Sequence, residues 1–226
     1  MIEHIYVIGN EEREPERIAY LKDYFKDLRL SVSYFQPTYM NTLSPDEISR
    51  FSEKTHDRLF KVSEKSVFLN FLYLFEKCAA EHSGYVLILE SDVIFEGDIV
   101  SYLEGLYEFL LSSSPDCLSI GSGCDLIDAD VNVDDMNFQI VRKKIIRCTD
   151  SLLFSKKGIL AILDYMNRYG LFDEPIDNFL EKFIKESESE FSFYWVWPSI
   201  TLQGSQYGQY KSSIQNTEDS TQPQLL

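Results

Sequence analysis

The sequence predicts an α/β domain over residues 1–215, with a mainly parallel central sheet, helices on both faces and a smaller irregular, antiparallel C-terminal half. Three observations predict it. Short apolar runs alternate with helix-period segments through the first half of the chain, the pattern of a parallel sheet covered by helices. Apolar residues make up 44% of the 226 residues and aromatics 14%, enough for one sizeable core. Finally, Tyr85 to Asp92 reads Tyr-Val-Leu-Ile-Leu-Glu-Ser-Asp, an apolar strand that ends in two carboxylates one residue apart. Unpaired carboxylates are costly to desolvate, so such a strand end belongs at a polar site. Open α/β sheets bind their ligands at the carboxyl ends of their strands.

The elements follow in order. His4 to Ile8 is a short strand closed by Gly9-Asn10, and Pro15 opens a helix to about Asp27 with Ile18, Leu21, Phe25 and Leu28 at helical spacing. Ser31 to Phe35 is a second strand, ended by Pro37. Ser44-Pro45-Asp46-Glu47 is a capping-box helix start. A helix over Ser63 to His82 carries so wide an apolar face that it must be deeply buried, and Tyr85 to Leu89 is the central strand. Ile99 to Leu111 is a helix and Cys117 to Ile120 a strand leading to Gly121-Ser122-Gly123. Residues 125–135 form an acidic loop, and Phe138 to Val141 with Ile145 to Cys148 form a hairpin around Arg142-Lys143-Lys144. Leu152 to Ser155 is a strand, Lys156 to Arg168 and Ile176 to Glu186 are helices, and Phe191 to Val196 is a last strand. From Asn216 the chain is polar and rich in Pro and Gln, which predicts a disordered tail over 216–226.

Composition excludes several classes. A net charge of -16 argues against a nucleic-acid or anionic-membrane surface, which needs clustered Lys and Arg. Cys78, Cys117, Cys124 and Cys148 form no Cys-x-x-Cys pair and read as reduced thiols. Glu3, Glu11, Glu12 and Arg13 interrupt any leader-like apolar run, and no segment reaches the ~20 apolar residues of a transmembrane span. The expectation is a soluble, cytoplasmic protein. Composition says nothing about its oligomeric state.

Two carboxylates at i and i+2 beyond a strand suit a hard divalent cation. Mn²⁺ or Mg²⁺ accepts one or two protein carboxylates and completes its shell with water and substrate phosphates. Glu90 and Asp92 are the candidate metal ligands. The same spacing also suits a strand followed by an Asx-turn, in which Asp92 bonds its own backbone.

Around this run the chain resembles one family. Leu87-Ile88-Leu89-Glu90-Ser91-Asp92-Val93 is similar to the Asp-x-Asp-type segment of glycosyltransferase family 25, which includes lipooligosaccharide galactosyltransferases and collagen glycosyltransferases. That segment reads Glu-Asp-Asp in the family, so Ser91 replaces the middle residue. Tyr6-Val7-Ile8-Gly9-Asn10 with Arg13 and Arg17 resembles the family's opening strand and Arg-containing turn. Thr149 to Gly158, Pro175-Ile176-Asp177-Asn178-Phe179-Leu180, Trp197-Pro198 to Gln203, and Ser212-Ser213-Ile214 resemble later segments in the same order. One segment departs: ahead of the long helix the family carries Gly-Glu-x-Gly-Cys-x-x-Ser-His, whereas Ser63 to Phe71 keeps only Glu64 and has Phe71 in place of the His.

The resemblance implies a GT-A-like fold, a UDP-linked nucleotide-sugar donor, a glycan or glycoconjugate acceptor, a divalent metal and inversion at the anomeric carbon. It also implies roles. Asp177 is the candidate base, although a carboxylate beside a helix N-terminus needs no catalytic role to be stable, and the helix field is expected to lower its pKa. Ile8, Gly9, Arg13, Arg17, Glu90 and Ser91 are donor-side candidates, with a solvated helix-face reading equally open for Arg17. Lys211 and Ser213 follow the Gly-rich stretch Gln203 to Gly208, which suits either a lid over the diphosphate or a mobile surface segment. Asp150 is a weaker rival base.

Two other classes use the same residues: a catalytically idle glycan- or nucleotide-sugar-binding module, and a metal-dependent phosphohydrolase or nucleotidyltransferase. Other signals fail. Asp128-x-Asp130-x-Asn132 begins like a calcium loop, but Val133 stands where Gly is needed and Gln139 where the bidentate Glu belongs. Gly121-Ser122-Gly123 lacks the third Gly of a dinucleotide fingerprint, and His4, His56 and His82 have no metal-ligand spacing.

Overall fold

The structure is a computed structural model that describes residues 2–123, 131–132, 135, 137–146 and 148–210. The acidic loop from Asp125 to Asp130, Cys124, Lys211, Ser213 and the 216–226 tail lie outside the described residues.

In chain order the elements are β1 (Ile2–Ile8), α1 (Pro15–Phe25), β2 (Ser31–Tyr34), α2 (Pro45–Ser49), β3 (Lys54–Thr55), β4 (Arg58–Leu59), α3 (Val62–Glu81), β5 (Tyr85–Glu90) and β6 (Val93–Phe95). There follow α4 (Ile99–Gly105), α5 (Tyr107–Ser113), β7 (Cys117–Ser119), β8 (Gln139–Arg142), β9 (Ser151–Ser155), α6 (Lys156–Arg168), α7 (Ile176–Glu186), β10 (Phe193–Trp197) and β11 (Thr201–Gln203).

The α/β class read from the sequence is the class observed. Seven strands form the main sheet in the order β2-β1-β5-β9-β7-β10-β8. β1 pairs in parallel with β2 and β5, and β10 with β7. β9 runs against β5 and β7, and β8 against β10, so the antiparallel strands enter with the second half of the chain.

The central strands read as unbroken apolar runs because both of their faces are covered. Tyr6, Ile8, Val86 and Ile88 point into one core with α3, α6 and α7. Ile5, Val7, Leu87 and Leu89 alternate into the other, under α1, α4 and α5. Helix ends follow their caps: the Ser44–Glu47 box closes in both directions, and the Ser155 hydroxyl accepts from Gly158 N to start α6.

Two sequence expectations differ from the structure. Among the described residues the 138–148 hairpin does not form. Gln139–Arg142 pairs instead with β10, while Trp195 Nε1 donates to Ile145 O and Ile146 is buried in the core. The aromatic last strand thus outcompetes the local return. The Ile99–Leu111 helix is divided at Leu106, beside Gly105, whose missing side chain makes room for the Phe138 ring; a Cβ there would lie 2.2 Å from Phe138 Cε2. No helix among the described residues is long and apolar enough to cross a membrane.

Candidate active site

Glu90-Ser91-Asp92 sits where the sequence pattern put it, at the carboxyl end of β5 near the middle of the sheet. Glu90 N donates to Asp150 O at 2.8 Å, and the Thr149 hydroxyl donates to Glu90 Oε1 at 2.6 Å, so the loop before β9 holds the Glu90 carboxylate from one side. Ser91 and Asp92 are buried. The Asp92 Oδ1 atom is buried with no hydrogen-bond partner, an expensive state for a carboxylate oxygen. Gly204 N donates to Asp92 O at 2.7 Å, and a Cβ on Gly204 would lie 2.8 Å from that same oxygen, so only glycine allows this approach.

The turn after β1 closes on the same segment. A Cβ on Gly9 would meet Ser91 Cβ at 2.6 Å, so the glycine lets β1 and β5 end side by side. Arg17 is buried on α1, not solvated. Its guanidinium donates to Glu14 Oε1 at 2.7 Å and to Ser91 Oγ at 3.2 Å, and lies 5.2 Å from the centre of the Tyr210 ring. Ile8 is a core residue. Arg13 is exposed, its guanidinium 4.6 Å from the Tyr39 ring centre.

A cavity of about 330 Å³ opens beside this segment, and both Glu90 and Asp177 line it. Arg58, Glu64, Thr149 and Gln203 are among the other lining residues. Asp177 stands in the first turn of α7, and its Oδ1 accepts from Asn178 N at 3.0 Å. That backbone bond pulls its pKa down as the helix-field argument expects, but burial outweighs it and the pKa is raised, with Glu64 and Glu181 adding repulsion. Glu90 is pushed up to about 8, first by burial and then by Asp92, against the Thr149 hydrogen bond. The carboxylates therefore share one low-dielectric site and repel each other.

Sequence reasoning missed Arg58 and Thr149 as site residues. Thr149 was legible as the residue before the Asp150 turn, but Arg58 stands on a two-residue strand that carries no local signal. Glu64, the one residue retained in the altered segment, binds Arg58 through both carboxylate oxygens at 2.7 and 2.8 Å. Phe71 faces the core, fully buried against Phe75. Asp150 is fully buried and does not line the cavity; its carboxylate fills the space where Gly121 lacks a Cβ, with Oδ2 1.9 Å from that position.

Among the described residues no group of three His, Cys, Asp or Glu is placed to hold a metal ion. The residues present do suit a cation of the Mn²⁺ or Mg²⁺ type, which needs one or two protein carboxylates: Asp92 offers a buried, unpartnered oxygen and Glu90 a second carboxylate beside it.

No family model matches the chain. Over 103 residues, 42% of this chain, it is 33% identical to a protein of Aedes aegypti described as a glycosyltransferase 25 family member. The match covers 17% of that relative, so the chain spans a small part of its length. The fold is loosely similar to the crystal structure of mouse xyloside xylosyltransferase 1 in its apo form, with a TM-score of 0.41 and 9% identity over 85% of this chain and 83% of that one. At that distance the likeness does not reach to mechanism.

Proposed function

We propose that the chain is a metal-dependent inverting glycosyltransferase, moving a hexose or pentose from a nucleotide diphosphate sugar, UDP-linked in the first instance, to a hydroxyl of a glycan or glycoconjugate. The observation that carries this reading is the cavity at the carboxyl end of β5, where Glu90 and Asp177 face one space; Asp92, whose unpartnered Oδ1 is buried, does not itself line it but repels Glu90, which does. Similarity to a glycosyltransferase 25 family member supports the same class.

Single displacement needs a base on the acceptor side and a stabilised leaving group on the other. Asp177 is the base. Its raised pKa makes its carboxylate a better proton acceptor than an exposed aspartate, provided it is ionised. The acceptor oxygen bonds to the anomeric carbon as the bond to the phosphate oxygen breaks, and the hydroxyl proton passes to Asp177. Asp92 and Glu90 would hold a divalent cation, which supplies neutralisation of the charge on the departing diphosphate. Thr149 fixes the Glu90 rotamer, and Arg17 fixes Ser91 between them. Lys211 and Ser213 remain donor-side candidates in this reading.

The test is turnover of a panel of nucleotide sugars with Mn²⁺ and simple glycoside acceptors, read as nucleoside diphosphate released. The expected result is release with at least one donor, stimulated by acceptor. Tight donor binding without transfer or hydrolysis would make the chain a binding module, and release of phosphate or pyrophosphate would make it a phosphohydrolase or nucleotidyltransferase.

A further inference from the structure

The small hairpin of β3 and β4 lies outside the main sheet and borders the cavity on the Asp177 side. Its base is fixed: Phe51 and Phe60 are buried with ring centres 5.4 Å apart, Phe60 N donates to Glu53 O at 3.0 Å, and Thr55 is buried. Its turn carries an exposed His56 at φ 49°, a left-handed conformation that costs a histidine some energy and is held only where the surroundings impose it. Across the gap, Asn178 Nδ2 donates to His56 Nε2 at 3.1 Å. Asn178 lines the cavity and is the chain neighbour of Asp177. His56 does not itself line the cavity; it stands at its edge through Asn178.

The charge around that edge is one-sided. Glu64, Glu90 and Asp177 line the cavity against Arg58, the one cation among the described lining residues, and Glu64 already engages two of its nitrogens. With Glu64 paired to Arg58 and Glu90 assigned to the proposed cation, Asp177 is the carboxylate left without a cation, and an acceptor carboxylate or phosphate beside the reactive hydroxyl meets its repulsion. An uncharged sugar does not. With Nε2 accepting from Asn178, the imidazole keeps its Nδ1–H donor and the carboxamide its Oδ1 acceptor and second N–H, which suits a pair of neighbouring sugar hydroxyls.

We propose that His56 and Asn178 form the acceptor subsite and bind adjacent hydroxyls of an uncharged terminal sugar, presenting a further hydroxyl to Asp177. The inference rests on the glycosyltransferase reading above and names the acceptor class for it. The bond changes are those already given: the acceptor oxygen replaces the diphosphate at the anomeric carbon, and its proton goes to Asp177.

The experiment measures initial rates against acceptor concentration at saturating donor for the unaltered protein, His56→Ala, His56→Gly and Asn178→Ala, with neutral glycosides and the matching uronides. His56→Gly accepts the left-handed backbone without strain, so an effect shared with His56→Ala belongs to the lost imidazole. The expected result is an acceptor KM raised about fivefold or more, the scale of one lost hydrogen bond, with donor KM and kcat within about twofold and uronides used poorly throughout. Unchanged acceptor KM, a loss confined to kcat, or a preference for uronides would overturn the subsite while leaving the transferase reading intact. An unaltered protein that neither transfers nor hydrolyses any donor would overturn both.

Discussion

Two buried aspartates sit at opposite ends of the same sheet. Asp116, ahead of β7 at the amino end, is 1% exposed; its Oδ2 accepts from Ser192 N at 2.8 Å and from Ser192 Oγ at 2.9 Å, and its Oδ1, which has no hydrogen bond, is ion-paired with Lys157 Nζ at 3.0 Å. Asp92, just past β5 at the carboxyl end, is 5% exposed with an oxygen that has no protein partner. Residue type and burial are matched; the donors are not. A carboxylate closed by backbone, hydroxyl and ammonium groups holds strands together, whereas one left open in a buried site is built for something the chain does not itself provide.

The contrast predicts opposite phenotypes. Asp92→Asn should lower sugar transfer by about 10²-fold or more, as loss of a transition-state charge stabiliser does, while the ligand-free melting temperature stays within about 3 °C, because no protein hydrogen bond to that Oδ1 is lost. Asp116→Ala should leave the donor KM near that of the parent and destabilise the fold by about 2–4 kcal/mol, since it removes a buried carboxylate and leaves two half-buried Ser192 donors without their acceptor. For a chain of this size that is a fall of roughly 5–12 °C. Exchange of the two phenotypes would break the comparison. The checks are calorimetry and initial rates on both variants.

A smaller effect sharpens it. Burial and Asp92 hold the Glu90 carboxyl at about 8, against an ordinary value of 4.5. Between those values the folded chain keeps a proton that the unfolded chain has released, so this group's contribution to stability falls as pH rises through that window and levels off above it. Glu90→Gln removes the titration. In chelator, its melting temperature should gain on the parent by a few degrees between pH 5.5 and pH 8.5. A difference that stays constant across that range would mean that Glu90 titrates normally.

Local chemistry explains what was legible in the sequence. α6 and α7 run over the residues that their flanking signals predict, because Ser155 and Pro175 act on their own first turns. The strand that ends in Glu90-Ser91-Asp92 was legible because an apolar run gives way abruptly to two carboxylates, which are costly to desolvate away from a polar site. The placement of β9 between β5 and β7, and of β8 on β10, was not legible. Those pairings are set by long-range competition, as when Trp195 reaches Ile145 and prevents a local hairpin. For the same reason Arg58 gave no signal: its role comes from Glu64 and Asp177, which other elements bring to it. The direction of the Asp177 shift was misread because helix-terminus chemistry is local and visible, while burial belongs to the folded molecule.

The most direct measurement is the shift in melting temperature caused by Mn²⁺ together with UDP, compared between the parent chain and Asp92→Asn. A ligand that binds only the folded state stabilises it by RT ln(1 + L/Kd) at free ligand concentration L, and the melting temperature rises accordingly. The parent should gain several degrees only when both are present, and Asp92→Asn should lose most of that gain. An equal gain in the two proteins would show that the open oxygen of Asp92 does not serve cation and nucleotide, and would contradict the central claim.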